Sequence, residues 1–155
     1  MAAYLKQAKL YGDMRDVWAR QVWWTREVMI AKANNLPSLS ASATKFGKSP
    51  QVIGDVFAPF YPDRTVRKME ELLGGQKKPD EIARFFASIN PFFQEAEVHR
   101  MMQEHLRLIL QEATNYLNGR YEASIQAFDQ IQDEAQTMAD YFSRGITEQF
   151  PQAFR

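Results

Sequence analysis

The chain has 155 residues, balances nineteen lysines and arginines against nineteen aspartates and glutamates, and contains no cysteine. This length suits one domain rather than two, and the zero net charge removes the long-range attraction that basic proteins exert on nucleic acid. The absence of cysteine excludes disulfides and thiolate metal sites. We therefore expect a single domain over residues 1–155 with no nucleic-acid partner.

No apolar run approaches the roughly 20 residues that a transmembrane helix needs. The first residues, MAAYLKQAKLYGDMRD, also lack the apolar centre of a signal peptide. These features predict a soluble, cytoplasmic protein with no transmembrane segment.

Apolar residues recur at helical spacing between Asp13 and Asn34 and predict a long helix. Asp13 follows Gly12 and is the expected N-cap. Residues 2–11 are expected to form a short helix of their own or to continue the long one with a kink at Gly12.

A broken middle section of short helices is expected next. The Ser- and Ala-rich segment up to Ser49 predicts a loop that contains a turn of helix near residues 41–46. Ser49 and Pro50 suit a helix start, and that helix should end near Pro59. Further short helices should start after Tyr61 and at Pro79 or Asp80, and Gly74 and Gly75 should close the first of these two.

The run from Asn90 to Gly119 predicts a central long helix, with Asn90 as its cap and Pro91 in its first turn. Its apolar stripe contains Phe92, Val98, Met102, His105, Ile109, Ala113 and Tyr116.

A last long helix should run from Tyr121 to Pro151 and fold back on the central helix as an antiparallel hairpin. Its seam contains Tyr121, Ile125, Phe128, Gln132, Ala135, Ala139, Phe142 and Ile146. No segment shows strand alternation. The predicted fold is therefore all-α and up-down four-helix-bundle-like, with three long helices and the broken middle section in the fourth position.

A metal site is one hypothesis for the interior. His105 and Glu112 lie two turns apart on the central helix, and Asp129 and Asp133 on the last helix could join them as ligands of iron, manganese or zinc. The alternatives are that His105 is a hydrogen-bonded core residue and that Glu112 lies at the edge of the seam with its carboxylate in water. Gln132 is then a buried residue that fixes the register, or the partner of His105.

Trp18, Trp23 and Trp24 cannot all face one core, because adjacent residues of a helix point about 100° apart. One of them is expected to be exposed, where it would mark a partner interface, a ligand pocket or a membrane-surface contact unless residues 36–49 cover it. The sequence has no cysteine nucleophile, no Gly-x-Ser-x-Gly elbow and no phosphate-binding glycine loop, which favours a protein that is not an enzyme.

Five segments together resemble an uncharacterised group of bacterial helical-bundle proteins, found mainly in spore-forming Gram-positive bacteria. They are RDVWARQVWWTR, SPQVIGDVFAPFYPD, EIARFFASINPFF, EHLRLILQEA and YEASIQAFDQIQDEAQTMADYFSRGITEQFP. The resemblance implies interior histidines at three positions. One is His105, one is Gln21 here, and the third is lost in the run MEELLGGQKKPDE, where the middle section is shortened. Gln21 and Gln132 are then expected beside the site, in contact with its ligands.

Two functional hypotheses follow. The first is a non-enzymatic bundle protein that acts through self-association as a homodimer, because a shortened middle section leaves apolar surface uncovered. The alternative is a bundle that binds a divalent metal or a small ligand through His105 and Glu112.

Overall fold

The computed structural model describes residues 1–75 and 78–155. Within these ranges it contains seven α-helices, one 3-10 helix and no strand, so the all-α prediction is confirmed. The helices are α1 (Ala2–Ala33), α2 (Leu39–Gly47), α3 (Ser49–Phe57), α4 (Asp63–Gly74), α5 (Pro79–Ile89), α6 (Glu95–Leu117) and α7 (Tyr121–Gln149), followed by a 3-10 helix at Pro151–Phe154. None of them, in the part of the chain that is described, is long and apolar enough to cross a membrane.

The first helix is continuous through Gly12, so the prediction of an N-cap at Asp13 was wrong. Leu10, Met14 and Val17 lie one turn apart on its buried face, and their packing outweighs the weak helix propensity of glycine. Asp13 instead forms an exposed ion pair with Lys9, one turn earlier.

The broken middle section is confirmed as four short helices. The segment that was expected to be mostly loop forms α2, and α3, α4 and α5 start where proline or the Tyr61–Asp63 turn predicted. Ser49 is the first residue of α3 and not its cap, which is Lys48. Helix α4 ends at Gly74, as expected.

The central helix starts at Glu95, not at Asn90, so this part of the prediction was wrong. Asn90 is buried, its Oδ1 accepts from the backbone N–H of Phe92 at 2.8 Å, and its Nδ2 donates to the Tyr61 hydroxyl. This side-chain turn competes with helix formation and lets Phe93 reach the core.

Contacts along the long helices define their directions. Gln94, the residue before α6, contacts Tyr141, and His105 of α6 contacts Glu134. Of these two contacts, the one further from the Asn118–Arg120 turn along α6 is also the one further from it along α7. The two helices therefore form the expected antiparallel hairpin. Arg15 pairs with Asp140 and Arg26 contacts Ser124, so α1 also runs antiparallel to α7.

The core centres on Phe142 of α7. Its ring lies 4.6–5.9 Å, between centroids, from the rings of Trp18, Phe57, Phe86 and Phe93. Helices α1, α3 and α5 and the turn before α6 are thus joined through one side chain.

The buried faces of α6 and α7 differ in part from the predicted seams. On α6, Met101, Leu108 and Glu112 are buried and Phe92 is exposed. On α7 the seam is as predicted from Ala135 onward, but its first turns bury Ser124, Ala127 and Ile131 and expose Tyr121 and Ile125. The hydroxyl of Ser124 donates to the Glu112 carbonyl, so short side chains face α6 where the two helices approach near their turn.

Candidate ligand-binding cavity

A cavity of about 480 Å³ lies beside α1 and α6 and is closed by α3, the α2–α3 junction and the facing ends of α4 and α5. Its volume falls within the range of roughly 300–1,000 Å³ that is typical of small-molecule sites. Most of its wall is apolar, and none of the described wall residues carries a full charge unless His105 is protonated. The apolar part includes Phe46, Ile53, Leu73, Ile82, Met102 and Ile109, and the polar part includes Trp18, Gln21, Ser49 and His105.

His105 forms a buried pair with Glu134 of α7. The His105 Nδ1 and Glu134 Oε2 atoms are 2.7 Å apart, and the two side chains are only 10% and 13% exposed. Because a carboxylate accepts, Nδ1 carries a proton and Nε2 is left as the free ring nitrogen. Neither Nε2 nor the second oxygen of Glu134 has a hydrogen-bond partner among residues 1–75 and 78–155.

The prediction that Gln132 holds His105 was therefore wrong. Glu134 lies on the flank of the seam that the spacing of apolar residues predicted, and nothing in that pattern distinguishes it from a solvated glutamate. The role of Glu134 depends on how α7 is rotated against α6. Gln132 is only half-buried, although it was expected to be buried.

Gln21 and Trp18 reach the same cavity from α1. The amide nitrogen of Gln21 donates to Thr25 Oγ1 at 3.4 Å, and its amide oxygen has no partner in the described part of the chain. The indole of Trp18 stacks on Phe142, and the described residues offer no partner to its Nε1–H either. Gln21 and His105 thus line the same cavity, and the role of Gln21 beside metal ligands stays a prediction.

One alternative placed the carboxylate of Glu112 in water, and this was wrong because Glu112 is buried. Glu112 is also not among the residues that line the cavity. It is 3% exposed and forms an ion pair of 3.0 Å with Arg26, which is 13% exposed. Burial raises the pKa of Glu112, and the hydrogen bond and charge of Arg26 oppose that shift. Arg26 also donates to Ser124 Oγ and lies over the ring of Phe128. Glu112 is held as part of a structural ion pair.

The four predicted metal ligands do not converge. His105 pairs with Glu134, Glu112 pairs with Arg26, and Asp129 and Asp133 are exposed on α7. Across residues 1–75 and 78–155, no group of three or more histidine, aspartate or glutamate side chains could hold a metal ion.

The three tryptophans have different surroundings, which confirms that they do not share one core. Trp18 is buried, Trp24 is half-buried with Lys45 of α2 over its ring, and Trp23 is 49% exposed. Of the three, Trp23 has the exposure that a partner contact requires, and its interface role stays a prediction.

No protein-family model matches this chain, and no curated protein or solved structure matches it. The resemblance to bacterial helical-bundle proteins stays a prediction, and the functional argument rests on the cavity.

Proposed function

We propose that this protein binds a small, mostly apolar molecule in the cavity between α1 and α6. The observation that carries the proposal is the position of unpaired polar atoms. Four buried side-chain atoms in the described residues lack a hydrogen-bond partner: Trp18 Nε1, Gln21 Oε1, His105 Nε2 and Glu134 Oε1. Three of these residues line the cavity, and the fourth is hydrogen-bonded to one of them.

Collecting these unpaired atoms beside one cavity lowers the stability of the folded protein, and a purely structural wall gains nothing in return. A buried donor or acceptor without a partner costs about 1–3 kcal/mol, so folded proteins rarely collect several at one place. An apolar cavity with a few convergent polar groups is the usual form of a small-molecule site. A bound molecule whose polar group reaches these atoms, each of which is inaccessible to water in the structure, would supply the missing partners and stabilise the fold.

The test is titration with phenylnaphthylamine, an uncharged dye that fluoresces in apolar sites. We expect saturable binding of one dye molecule per chain. Ile109→Trp should abolish it, because the Ile109 side chain lines the cavity. Leu110→Trp is the matched control, since Leu110 is the next residue of α6, is exposed and lies outside the cavity wall. Equal binding by both variants would place the dye elsewhere and remove the proposal.

A second candidate function is self-association as a homodimer. Leu106, Leu110 and Leu117 are 47%, 59% and 69% exposed, and their spacing of four and seven places them on one face of α6. We propose that the chain is an up-down four-helix bundle in which the short middle helices leave this face uncovered, and that a second copy covers it. The exposure of three leucines along one face of α6 supports this proposal.

Light scattering at micromolar concentration tests it. We expect the mass of a dimer for the wild type and of a monomer for Leu110→Glu. Leu5→Glu is the control, because Leu5 is similarly exposed but lies near the start of α1. A monomeric wild type would refute the proposal directly.

A further inference from the structure

We infer that the ligand of the cavity is an uncharged molecule with an apolar body and one hydroxyl group. The inference rests on the proposed function and adds the chemical class of the ligand. It follows from the charge of the wall and from the kinds of polar atom that are left unpaired.

The charge of the wall disfavours a charged ligand. No lysine, arginine, aspartate or glutamate stands among the described residues that line the cavity. The nearest buried carboxylate, on Glu134, is already paired with His105. A charged group placed against this apolar wall would lose part of its hydration without gaining a counter-ion from the described wall residues, which disfavours its binding.

The unpaired atoms on α1 require both a donor and an acceptor. The Nε1–H group of Trp18 can only donate, and the Oε1 atom of Gln21 can only accept. A ketone or ether would serve Trp18 alone, and an ammonium would serve Gln21 alone. A hydroxyl group accepts and donates at the same oxygen, so it matches both.

His105 supplies the third polar contact. Glu134 holds its ring through Nδ1 and thereby fixes the direction of Nε2. A hydroxyl group has one hydrogen and two lone pairs, so with its hydrogen on Gln21 Oε1 it can accept from Trp18 Nε1–H and from a protonated Nε2–H. A neutral ring accepts at Nε2 and competes with Gln21 for the single hydroxyl hydrogen. Buried groups of this kind reject an analogue that lacks the hydroxyl, because they are then left unpaired.

The experiment compares molecules that share one rigid apolar body: adamantanol, adamantane, adamantanone, adamantylamine and adamantane carboxylate. Each competes with phenylnaphthylamine for the full-length protein. We expect adamantanol to bind at least about tenfold more tightly than the other four, the difference that one net hydrogen bond contributes. Gln21→Met should reduce this preference, and Gln132→Met, a half-buried glutamine outside the cavity wall, should keep it.

An independent measurement is the nitrogen spectrum of the imidazoles. The chain has two histidines, His99 and His105, so a His99→Gln variant assigns the spectrum. Adamantanol should shift the Nε2 resonance of His105 more than adamantane does.

The outcomes separate the two proposals. Equal affinity for adamantanol and adamantane, or tightest binding of the amine, the ketone or the carboxylate, would overturn the hydroxyl inference and leave the binding function intact. If no compound displaces the dye from the wild type, or if Ile109→Trp binds them all unchanged, the cavity itself is not the site and both proposals fail.

Discussion

Replacing Arg26 by methionine should destabilise the protein strongly near neutral pH. Arg26 Nη1 lies 3.0 Å from Glu112 Oε1, and the two side chains are only 13% and 3% exposed. Methionine keeps much of the apolar stem but leaves the Glu112 carboxylate buried without its cation. Breaking a buried pair in this way costs about 3–5 kcal/mol.

The pH dependence follows from the sign of the pKa shift. Burial already raises the pKa of Glu112 above its ordinary value of 4.5, and the loss of Arg26 should raise that pKa further. The native state then binds the Glu112 proton more tightly than the unfolded chain does, so the free energy of unfolding falls as pH rises through the folded-state pKa. The loss in Arg26→Met should therefore be largest near neutral pH and should shrink as pH falls toward 4.5.

We would measure the free energy of unfolding in urea at about pH 7 and about pH 5. The proteins compared are the wild type, Arg26→Met, Glu112→Gln and the double variant. The double variant contains no buried charge at this place and should recover most of the stability. Arg15→Met is the control, because Arg15 and Asp140 form a surface pair with side chains 51% and 35% exposed. Its loss should be about 0–1 kcal/mol. The reasoning is refuted if Arg26→Met costs no more than Arg15→Met, or if its cost is the same at both pH values.

Two further predictions concern packing and ionisation. A Cβ atom at Gly145 would lie 2.2 Å from Phe93 Cε1, so Gly145→Ala should lower the free energy of unfolding by about 1–3 kcal/mol. Gly12→Ala, at a helical site with nothing within 4 Å, should raise it by up to about 1 kcal/mol; the same sign for both in urea unfolding would contradict the geometry. Burial raises the pKa of Tyr61 to about 12 against the opposing hydrogen bond from Asn90. The stability that this shift reflects is present below pH 10.0 and is lost as pH rises to about 12. In an alkaline absorbance titration, the difference between the wild type and Tyr61→Phe should appear near pH 12, and a difference centred near pH 10 would show that Tyr61 is solvated.

Three of the four helices of the middle section, α3, α4 and α5, were predictable because proline and glycine act locally, whereas α2 was expected to be mostly loop. A proline lacks the N–H that the first turn of a helix leaves unpaired, and this feature predicts the starts of α3 and α5. The same rule failed at Asn90 and Pro91. There the ring of Phe93 packs closely against Gly145, and a side-chain turn at Asn90 places Phe93 in the core.

The candidate site was predictable in part. His105 stands in an apolar stripe, and Gln21 occupies the position where the resemblance implies a histidine. Glu134 gave no signal, because a glutamate on the flank of a seam is usually solvated. Glu112 was expected either as a metal ligand or at a water-exposed edge of the α6 stripe, because the spacing within α6 gives no indication of its ion pair with Arg26.

Sequence alone determined the all-α class, the three long helices and the short breaks between them, because helix propensity, apolar spacing and turn residues act over a few positions. Only the tertiary structure decided which polar side chains share the interior. His105 and Glu134 are 29 residues apart, and Arg26 and Glu112 are 86 residues apart. Such pairs depend on how two helices are rotated against each other. That rotation is set by packing across the whole core, so the spacing of residues within one helix does not predict it.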